Sequence, residues 1–191
     1  MAEVSWVPLQ FMQSRLLDAT SGFNYWINQV VQGGNYPSSA LVAAGVQTGS
    51  STGFQFGSGN LFLGNLSVDL IAPSGCGTYP IGQLYSVKGH GQGLVTPSEF
   101  SGPTLTMLKV TIGWGSTNPP VDTESPKAAI LDAMLATFNA EEYNNLTPPG
   151  VVYNNQLAYE FEDPVKQEGI PSYRQACYFA LTHNVITGAN G

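Results

Sequence analysis

Apolar residues recur at helical spacing in two stretches of the chain. In residues 11–31 they fall at steps of three to five, which predicts one amphipathic helix. Gly22 weakens this helix, and Gly33 with Gly34 ends it. Its predicted apolar stripe consists of Phe11, Leu16, Ala19, Phe23, Trp26, Ile27 and Val30.

The second helical stretch is predicted to begin at Ser125, a favourable N-cap, and to run to about Tyr143. Pro126 suits the first helical position, and Asp122 and Glu124 place negative charge at the positive end of the helix. Its predicted buried stripe consists of Ile130, Leu131, Met134, Leu135 and Phe138.

Strands are predicted where apolar and polar residues alternate, at residues 61–71, 105–114, 159–161 and 174–182. In the strand at 105–114, Lys109 and Thr111 lie on one face, and the other face carries Leu108, Val110, Ile112 and Trp114. This strand is therefore expected to be half buried. Leu105 and Met107 have the opposite parity, which predicts a bulge or burial on both faces near its start.

These elements predict an α+β fold, with a small, mostly antiparallel sheet packed against two helices. A length of 191 residues suits a single domain, residues 1–191, because two domains would each be small. Residues 34–60 and 72–103 are rich in Ser, Gly and Pro with little periodicity, and are predicted as long loops or arms.

The composition is poor in charge. Asp, Glu, Lys and Arg make up 10% of the residues, against about 25% in an average domain, while 42% are hydrophobic. Disordered chains combine low hydrophobicity with high net charge, so disorder is not indicated. Because interface cores are depleted in charged residues, this composition favours large contacts with neighbouring copies.

The charge balance is acidic, with a net charge of −7 and a pI near 4.5. Duplex DNA repels such a chain unless its cations cluster, so sequence-specific DNA binding is not expected. The basic residues are scattered along the sequence: Arg15, Lys88, Lys109, Lys127, Lys166 and Arg174.

Cys76 and Cys177 lie far apart and form no CxxC motif, which indicates neither a zinc site nor a disulfide scaffold. They fit a chain made in a reducing cytosol, and whether they pair is left open. The sequence shows no signal-peptide pattern and no apolar run of about 18 residues, so neither secretion nor a membrane span is expected.

Motifs with catalytic chemistry are weak. Residues 49–53 match G-x-S-x-G, but they lie in a small-residue loop without the flanking strand and helix of a nucleophile elbow. His90 lies between glycines that lack phosphate-binding spacing, which favours a loop tip. His183 has no second histidine at ligand spacing. No catalytic, cofactor or metal residues are therefore predicted, and an enzyme is not expected.

The acidic residues are densest in the segment that follows the third predicted strand. Paired carboxylates there could perform acid–base chemistry or hold Ca²⁺, but no aromatic platform or Asp-x-Asp spacing accompanies them. A solvated or intersubunit acidic rim is the favoured interpretation, and charged loop residues at such a rim can pair with a neighbour of opposite charge. The candidate interface residues are Glu160, Glu162, Asp163, Lys166 and Arg174.

Residues 10–29 and 105–184, about half of the chain, are similar to a known family in the order of their secondary-structure elements and in the residue patterns of these elements. An opening helix is followed by a strand ending in Gly-Trp-Gly, the helix SPKAAILDAMLATF, and the returning stretch YEFEDPVKQEGIPSYRQACYFAL. This order resembles the tail terminator, or tail-completion, proteins of tailed bacteriophages. The Ser- and Gly-rich stretch at residues 33–103 departs from the family, so the neck component is left open between terminator, tail-completion and connector-stopper protein.

The resemblance implies a structural protein of the virion neck, assembled in the host cytoplasm. The implied partners are copies of the chain in a hexameric ring, the tail tube protein and the head–tail connector proteins. The genome would pass through the lumen of the ring. Alternatives are another virion component, such as a tail tube, baseplate or decoration protein, then a carbohydrate-binding module, and last a hydrolase.

Overall fold

A computed structural model describes residues 6–48, 53–64, 80–91, 94–95, 100–115, 122–138, 151–153, 159–161, 165–166 and 172–187. The helices are α1 (Trp6–Leu17), α2 (Phe23–Gln32), α3 (Ser38–Ala43) and α4 (Glu124–Thr137). The strands are β1 (Leu61–Leu63), β2 (Ile81–Gly91), β3 (Leu94–Val95), β4 (Phe100–Gly115), β5 (Val151–Tyr153), β6 (Tyr159–Phe161), β7 (Val165–Lys166) and β8 (Ser172–Thr187).

The described strands form one sheet in the order β1-β2-β4-β8-β5, with β3 beside β4 and with β6 and β7 beside β8. β1 pairs with β2 in parallel, and the other pairs are antiparallel. β4 and β8 pair along their full length of 16 residues each, from Phe100 opposite Thr187 to Gly115 opposite Ser172. The predicted α+β class with a mostly antiparallel sheet is confirmed.

The core lies between one face of the sheet and the helices. The four apolar residues predicted to share a face of β4 are fully buried and belong to the same hydrophobic cluster as residues from α1, α2 and α4. On β8 the cluster includes Cys177 and Phe179, and the Phe179 ring lies 4.6 Å from that of Phe138 at the end of α4. The predicted inward face of β4 is therefore confirmed, but the strand is not half-buried as expected, because Thr111 on its other face is only 4% exposed.

The predicted single helix at residues 11–31 is wrong, because the structure has two helices there, α1 and α2. Asp18 ends the first: its carboxylate accepts hydrogen bonds from the backbone and hydroxyl of Thr20, at 2.8 and 2.7 Å, and from the Ser21 hydroxyl at 2.7 Å. At Gly22 a Cβ would lie 2.0 Å from the Arg15 carbonyl oxygen. The chain therefore turns where only glycine fits.

The predicted start of α4 is displaced by two residues. The N-cap position is Thr123, not Ser125, and the carboxylate of the preceding Asp122 accepts hydrogen bonds from the backbone N–H of Glu124 at 2.9 Å and of Ser125 at 3.0 Å. α4 ends at Thr137 with Phe138 as C-cap, and residues 139–143 of the predicted helix lie outside the described residues. Within the predicted stripe, Leu131 and Leu135 are only half-buried.

The predicted long loops at 34–60 and 72–103 contain regular structure. The first contains α3, and β2 and β3 lie within the second. Phe54 and Phe56 are also buried in the core, at 0% and 4% exposure, so this stretch contributes to packing. The strand predicted at 61–71 begins as expected with β1, while residues 65–71 lie outside the described part.

Near its start β4 was predicted to carry a bulge or burial on both faces. The register irregularity lies instead on its partner β2, between Ser86 and Lys88, opposite Leu108 and Met107. Parity along β4 alone could not show which of the two paired strands holds the extra residue.

Two buried polar side chains hold the helices in place. Arg15, 4% exposed, donates hydrogen bonds to the carbonyl oxygens of Ser21 at 2.6 Å and Thr137 at 3.0 Å, which joins the α1–α2 turn to the end of α4. Asn24 on α2 joins the same region to the stretch before β1, through the backbone of Phe56. These bonds join α1, α2, the end of α4 and the stretch before β1 to one another.

Candidate functional site

The two faces of the sheet differ in chemistry. The inner face of β4 and β8 belongs to the core. The outer face carries the alternate residues, which include Lys109 and Thr111 on β4 and Arg174, Ala176 and Tyr178 on β8. This face is not open throughout, because Gln83, Thr111 and Ala176 at its centre are at most 5% exposed. The sequence had predicted that Lys109 and Thr111 lie on the face of β4 opposite its apolar residues. It could not predict which residues of β2 and β8 would lie beside them, since this depends on strand register.

A row of aligned residues crosses the outer face. Tyr85 on β2 is opposite Lys109, Lys109 is opposite Tyr178, and Tyr178 is opposite Glu160 on β6. The Lys109 ammonium nitrogen lies 4.7 Å from the centre of the Tyr178 ring, within range of a cation–π interaction. Tyr85, Lys109 and Tyr178 are half-buried. This tyrosine–lysine row therefore presents two phenol groups and one cation.

Arg174 lies at the end of the outer face, opposite Gly113 on β4 and Val165 on β7. Its side chain is exposed, and among the described residues none forms an ion pair with it. Between Arg174 and Tyr178, Ala176 is buried at 3% exposure. About 13 Å of strand separate Arg174 from Tyr178, at roughly 3.3 Å per residue.

The predicted interface residues are partly brought together at one side of the sheet. Glu160 lies on β6, Lys166 on β7 opposite Tyr173, and Arg174 on β8, so all three belong to neighbouring strands. Glu162 and Asp163 lie outside the described residues. The segment was predicted as a loop between two strands, but β7 lies within it and pairs with β8.

On the opposite side of the molecule, α4 presents an outer stripe formed by Glu124, Ala128, Leu131, Asp132 and Leu135. Ala128 and the two leucines are half-buried, and the Glu124 side chain is 76% exposed, with the Lys127 ammonium 2.6 Å from its carboxylate. The exposed Asp132 accepts a hydrogen bond from the Tyr36 hydroxyl. Burial and that bond to a carboxylate raise the pKa of Tyr36 to about 12. The stripe is therefore apolar along its centre and acidic at its edges.

The sheet continues well beyond α4. The Lys127 carbonyl near the start of α4 accepts a hydrogen bond from Gln175 at 3.3 Å, and Phe138 at its end contacts Phe179. β8 continues from there to Thr187, about 26 Å further at roughly 3.3 Å per residue. We call the paired segments 100–107 and 180–187 the distal sheet. They contain no Asp, Glu, Lys or Arg.

The histidines lie in strands. His90 was predicted at a loop tip but lies in β2 opposite Leu105, and His183 lies in β8 opposite Thr104. Within the described ranges, no group of three or more His, Cys, Asp or Glu residues is arranged to hold a metal ion. Cys177 is buried, while Cys76 and residues 49–52 of the G-x-S-x-G match lie outside the described ranges.

No described helix is both long and apolar enough to cross a membrane. No protein-family model matches the chain, and a search of curated proteins finds no match. The fold and the candidate site thus define an α+β protein with a partly charged outer sheet face, an acidic helix stripe and an uncharged distal sheet.

Proposed function

We propose that this chain is a structural protein of a bacteriophage neck: a tail terminator or tail-completion protein that forms a ring at the head-proximal end of the tail. The observation that carries the proposal is the distal sheet. Its two paired strands extend beyond α4 and contain no charged residue, in a chain that is already poor in charge.

Such a sheet suits contact between subunits. Both strands are also paired on their outer sides over part of this length, β4 with β2 and β3 and β8 with β5, so the contact would be made through a face of the distal sheet. Interface cores are depleted in charge, as this segment is. Assembly with neighbouring copies would give the distal sheet a defined partner. The order β4, α4, β8 also supports the resemblance, since it joins a small sheet to a packed helix.

The proposed partners are copies of the chain in a hexameric ring, the tail tube protein and the head–tail connector proteins. The order of six rests on the resemblance alone. The genome would pass through the lumen without a specific site, because a chain of net charge −7 neutralises few phosphates. The proposal includes no enzymatic step and no cofactor, and it places the protein in the virion tail after assembly in the host cytoplasm.

Another virion component, such as a tail tube, baseplate or decoration protein, is the second candidate. The low charge of the chain fits it equally, and it would differ by polymerising or by trimerising instead of forming a closed ring. A carbohydrate-binding module is a weaker candidate, based on the two tyrosines of the tyrosine–lysine row. A glycan array without signal would remove it.

Multi-angle light scattering and negative-stain microscopy of the purified chain test the proposal, with and without isolated tail tubes. We expect closed rings, either alone or at tube ends. Open polymers would favour a tube protein, and trimers would favour a decoration protein. A strict monomer that also fails to bind tube ends would contradict the neck assignment.

A further inference from the structure

Two fully buried side chains on the inner face of the sheet each carry one polar atom without a hydrogen-bond partner among the described residues. Trp114 on β4 and Gln175 on β8 are both 0% exposed. The indole N–H of Trp114 has no acceptor, and the amide oxygen of Gln175 has no donor. Buried polar groups are nearly always satisfied, either by the protein or by an ordered water. We propose that one buried water molecule bridges these two atoms as a fixed part of the core.

The strand register makes the two side chains neighbours. Trp114 is opposite Tyr173 and Gln175 is opposite Ile112, so Trp114 and Gln175 are diagonal neighbours on one face of the β4–β8 pair. The Cβ atoms of such neighbours are roughly 7 Å apart, and both side chains reach well beyond their Cβ. Their polar ends can therefore approach to about 5–6 Å, which is the span of two successive hydrogen bonds through one water.

Neighbouring contacts fix the orientation of both side chains. The Gln175 amide nitrogen donates to the Lys127 carbonyl at 3.3 Å. Because a carbonyl can only accept, this bond identifies the nitrogen and leaves the amide oxygen pointing elsewhere. The Trp114 ring stacks on the Tyr173 ring, with centroids 4.5 Å apart and an angle of 16° between the ring planes. Stacking holds the indole in place, so its N–H does not turn to another acceptor.

One donor and one acceptor define the ligand as water. A water molecule can accept a hydrogen bond from the indole N–H and donate one to the amide oxygen at the same time. A cation would interact only with the amide oxygen, and an anion only with the indole N–H. Buried waters typically make two to four hydrogen bonds, so these two atoms meet the lower requirement.

A second donor and acceptor, on α2, lack this arrangement. Trp26 and Asn28 also carry a buried polar atom each without a partner among the described residues, but both side chains are only half-buried. Positions two apart on a helix do not face each other, so one water cannot join these two atoms.

The bridge would connect three elements of the fold. Trp114 belongs to β4 and Gln175 to β8, and the bond from Gln175 to Lys127 reaches the start of α4. The water would therefore help to hold α4 in position on the β4–β8 pair. This inference does not depend on the proposed function, because it concerns the core of the subunit.

A crystal structure and NMR spectra of the unchanged chain test the bridge directly. We expect one electron-density peak within about 3.2 Å of both Trp114 Nε1 and Gln175 Oε1. In water-selected NMR spectra, the Trp114 indole N–H should show a cross-peak to a long-lived water, and its loss in Trp114→Phe assigns this signal. No density between the two atoms, a direct hydrogen bond between them, or an indole N–H without a water cross-peak would overturn the proposal.

Gln175→Leu removes the acceptor and keeps a side chain of similar size. In this variant the Trp114 indole N–H should lose its water cross-peak, while the indole signal of Trp26 in the same spectrum stays unchanged and serves as the control. A water cross-peak that persists at Trp114 would overturn the role of Gln175. If the variant does not fold, the measurements on the unchanged chain decide the question.

A double-mutant cycle gives an independent test through stability. Chemical denaturation of Gln175→Leu, Trp114→Phe and the double variant should show that the double variant loses less stability than the sum of the two single losses. The reason is that either single replacement already leaves the water with one protein partner. The lost bond to Lys127 affects both variants that lack Gln175, so it cancels from the cycle. Additive losses would show that the two atoms do not share a water.

Discussion

The side chain of Asn24 forms a pair of hydrogen bonds with the backbone of a single residue, Phe56. Its amide nitrogen donates to the Phe56 carbonyl at 2.8 Å, and its amide oxygen accepts from the Phe56 N–H at 2.7 Å. The same amide nitrogen donates to the Leu17 carbonyl at 3.1 Å. One buried amide thus replaces a strand partner for Phe56 and binds the end of α1.

Replacing Asn24 by leucine should destabilise the fold by about 2–4 kcal/mol, because it leaves both backbone groups of Phe56 buried without their partners. Chemical denaturation measures the change. The matched control is Gln29→Leu at an exposed position of the same helix, which should change stability by no more than about 0.5 kcal/mol. Equal effects of the two substitutions would contradict the role of the Asn24–Phe56 pair.

Asp18 should make the stability depend on pH in the acidic range. Partial burial raises its pKa, but the hydrogen bonds from Thr20 and Ser21 outweigh this and lower the pKa to about 2, from an ordinary value of 3.8. A carboxyl with a depressed folded pKa contributes stability above its unfolded pKa. That contribution is lost as the pH falls from about 4 towards 2, up to about 2 kcal/mol.

Denaturation of the unchanged chain and of Asp18→Asn at a series of pH values measures this effect. The difference in unfolding free energy between them should be largest above about pH 5 and should shrink towards pH 2, because protonated Asp18 resembles asparagine in charge. If the unfolding free energies of the two proteins changed in parallel with pH, the ionised Asp18 carboxylate would not stabilise the fold.

Gly82 should not tolerate a methyl group. A Cβ at this position of β2 would lie 2.6 Å from the Phe56 ring and 2.8 Å from the Leu61 side chain. Gly82→Ala should therefore destabilise by about 1–3 kcal/mol, as overpacking does, although alanine usually improves on glycine in a strand. Gly59→Ala is the control, since a Cβ there meets no atom within 4 Å. A thermal-unfolding comparison in which both variants match the unchanged chain would contradict this packing.

The loss of stability when a side chain of α4 or its C-cap is replaced by alanine should depend on how deeply that side chain is buried. Phe138 is 3% exposed and contacts Phe179, so Phe138→Ala should cost about 3–5 kcal/mol. Leu131 is only half-buried, and Leu131→Ala should cost about 1–2 kcal/mol, in proportion to the buried area that it loses. Denaturant titrations give both values. A larger loss at Leu131 would place that side chain in the core, as the sequence pattern had suggested.

The sequence predicted elements whose signal is local and periodic. β4, with its strict alternation from Leu108 to Trp114, was found with the correct buried face. The break between α1 and α2 was missed because apolar spacing continues across Asp18 and Gly22, while the hydrogen bonds that end α1 are specific to the fold. β2 was missed because its glycines and polar residues interrupt the alternating pattern that predicts a strand. Its strand conformation is stabilised by pairing with β4.

The candidate site was less predictable than the fold. The sequence predicted which face of β4 carries Lys109, but the proximity of Lys109 to Tyr85 and Tyr178 depends on the register of three strands. The proximity of Lys166 to Arg174 likewise depends on β7, a strand of two residues with no alternating pattern. Local patterns in the sequence do not encode such long-range pairings.

The segment between β6 and β8 should contribute to assembly more than to subunit stability. Replacing Glu162 and Asp163 by lysine should change the unfolding free energy by about 0.5 kcal/mol or less, as charge substitutions at the surface usually do. It should nevertheless weaken ring formation, because pairs with a neighbour of opposite charge become like-charge contacts. Thermal unfolding and light scattering of the same samples measure the two effects separately. The comparison is Phe138→Ala, which should lose assembly only in proportion to its loss of folded subunit. Rings that form normally in the charge reversal would show that these two acids are solvated and do not lie at a subunit contact.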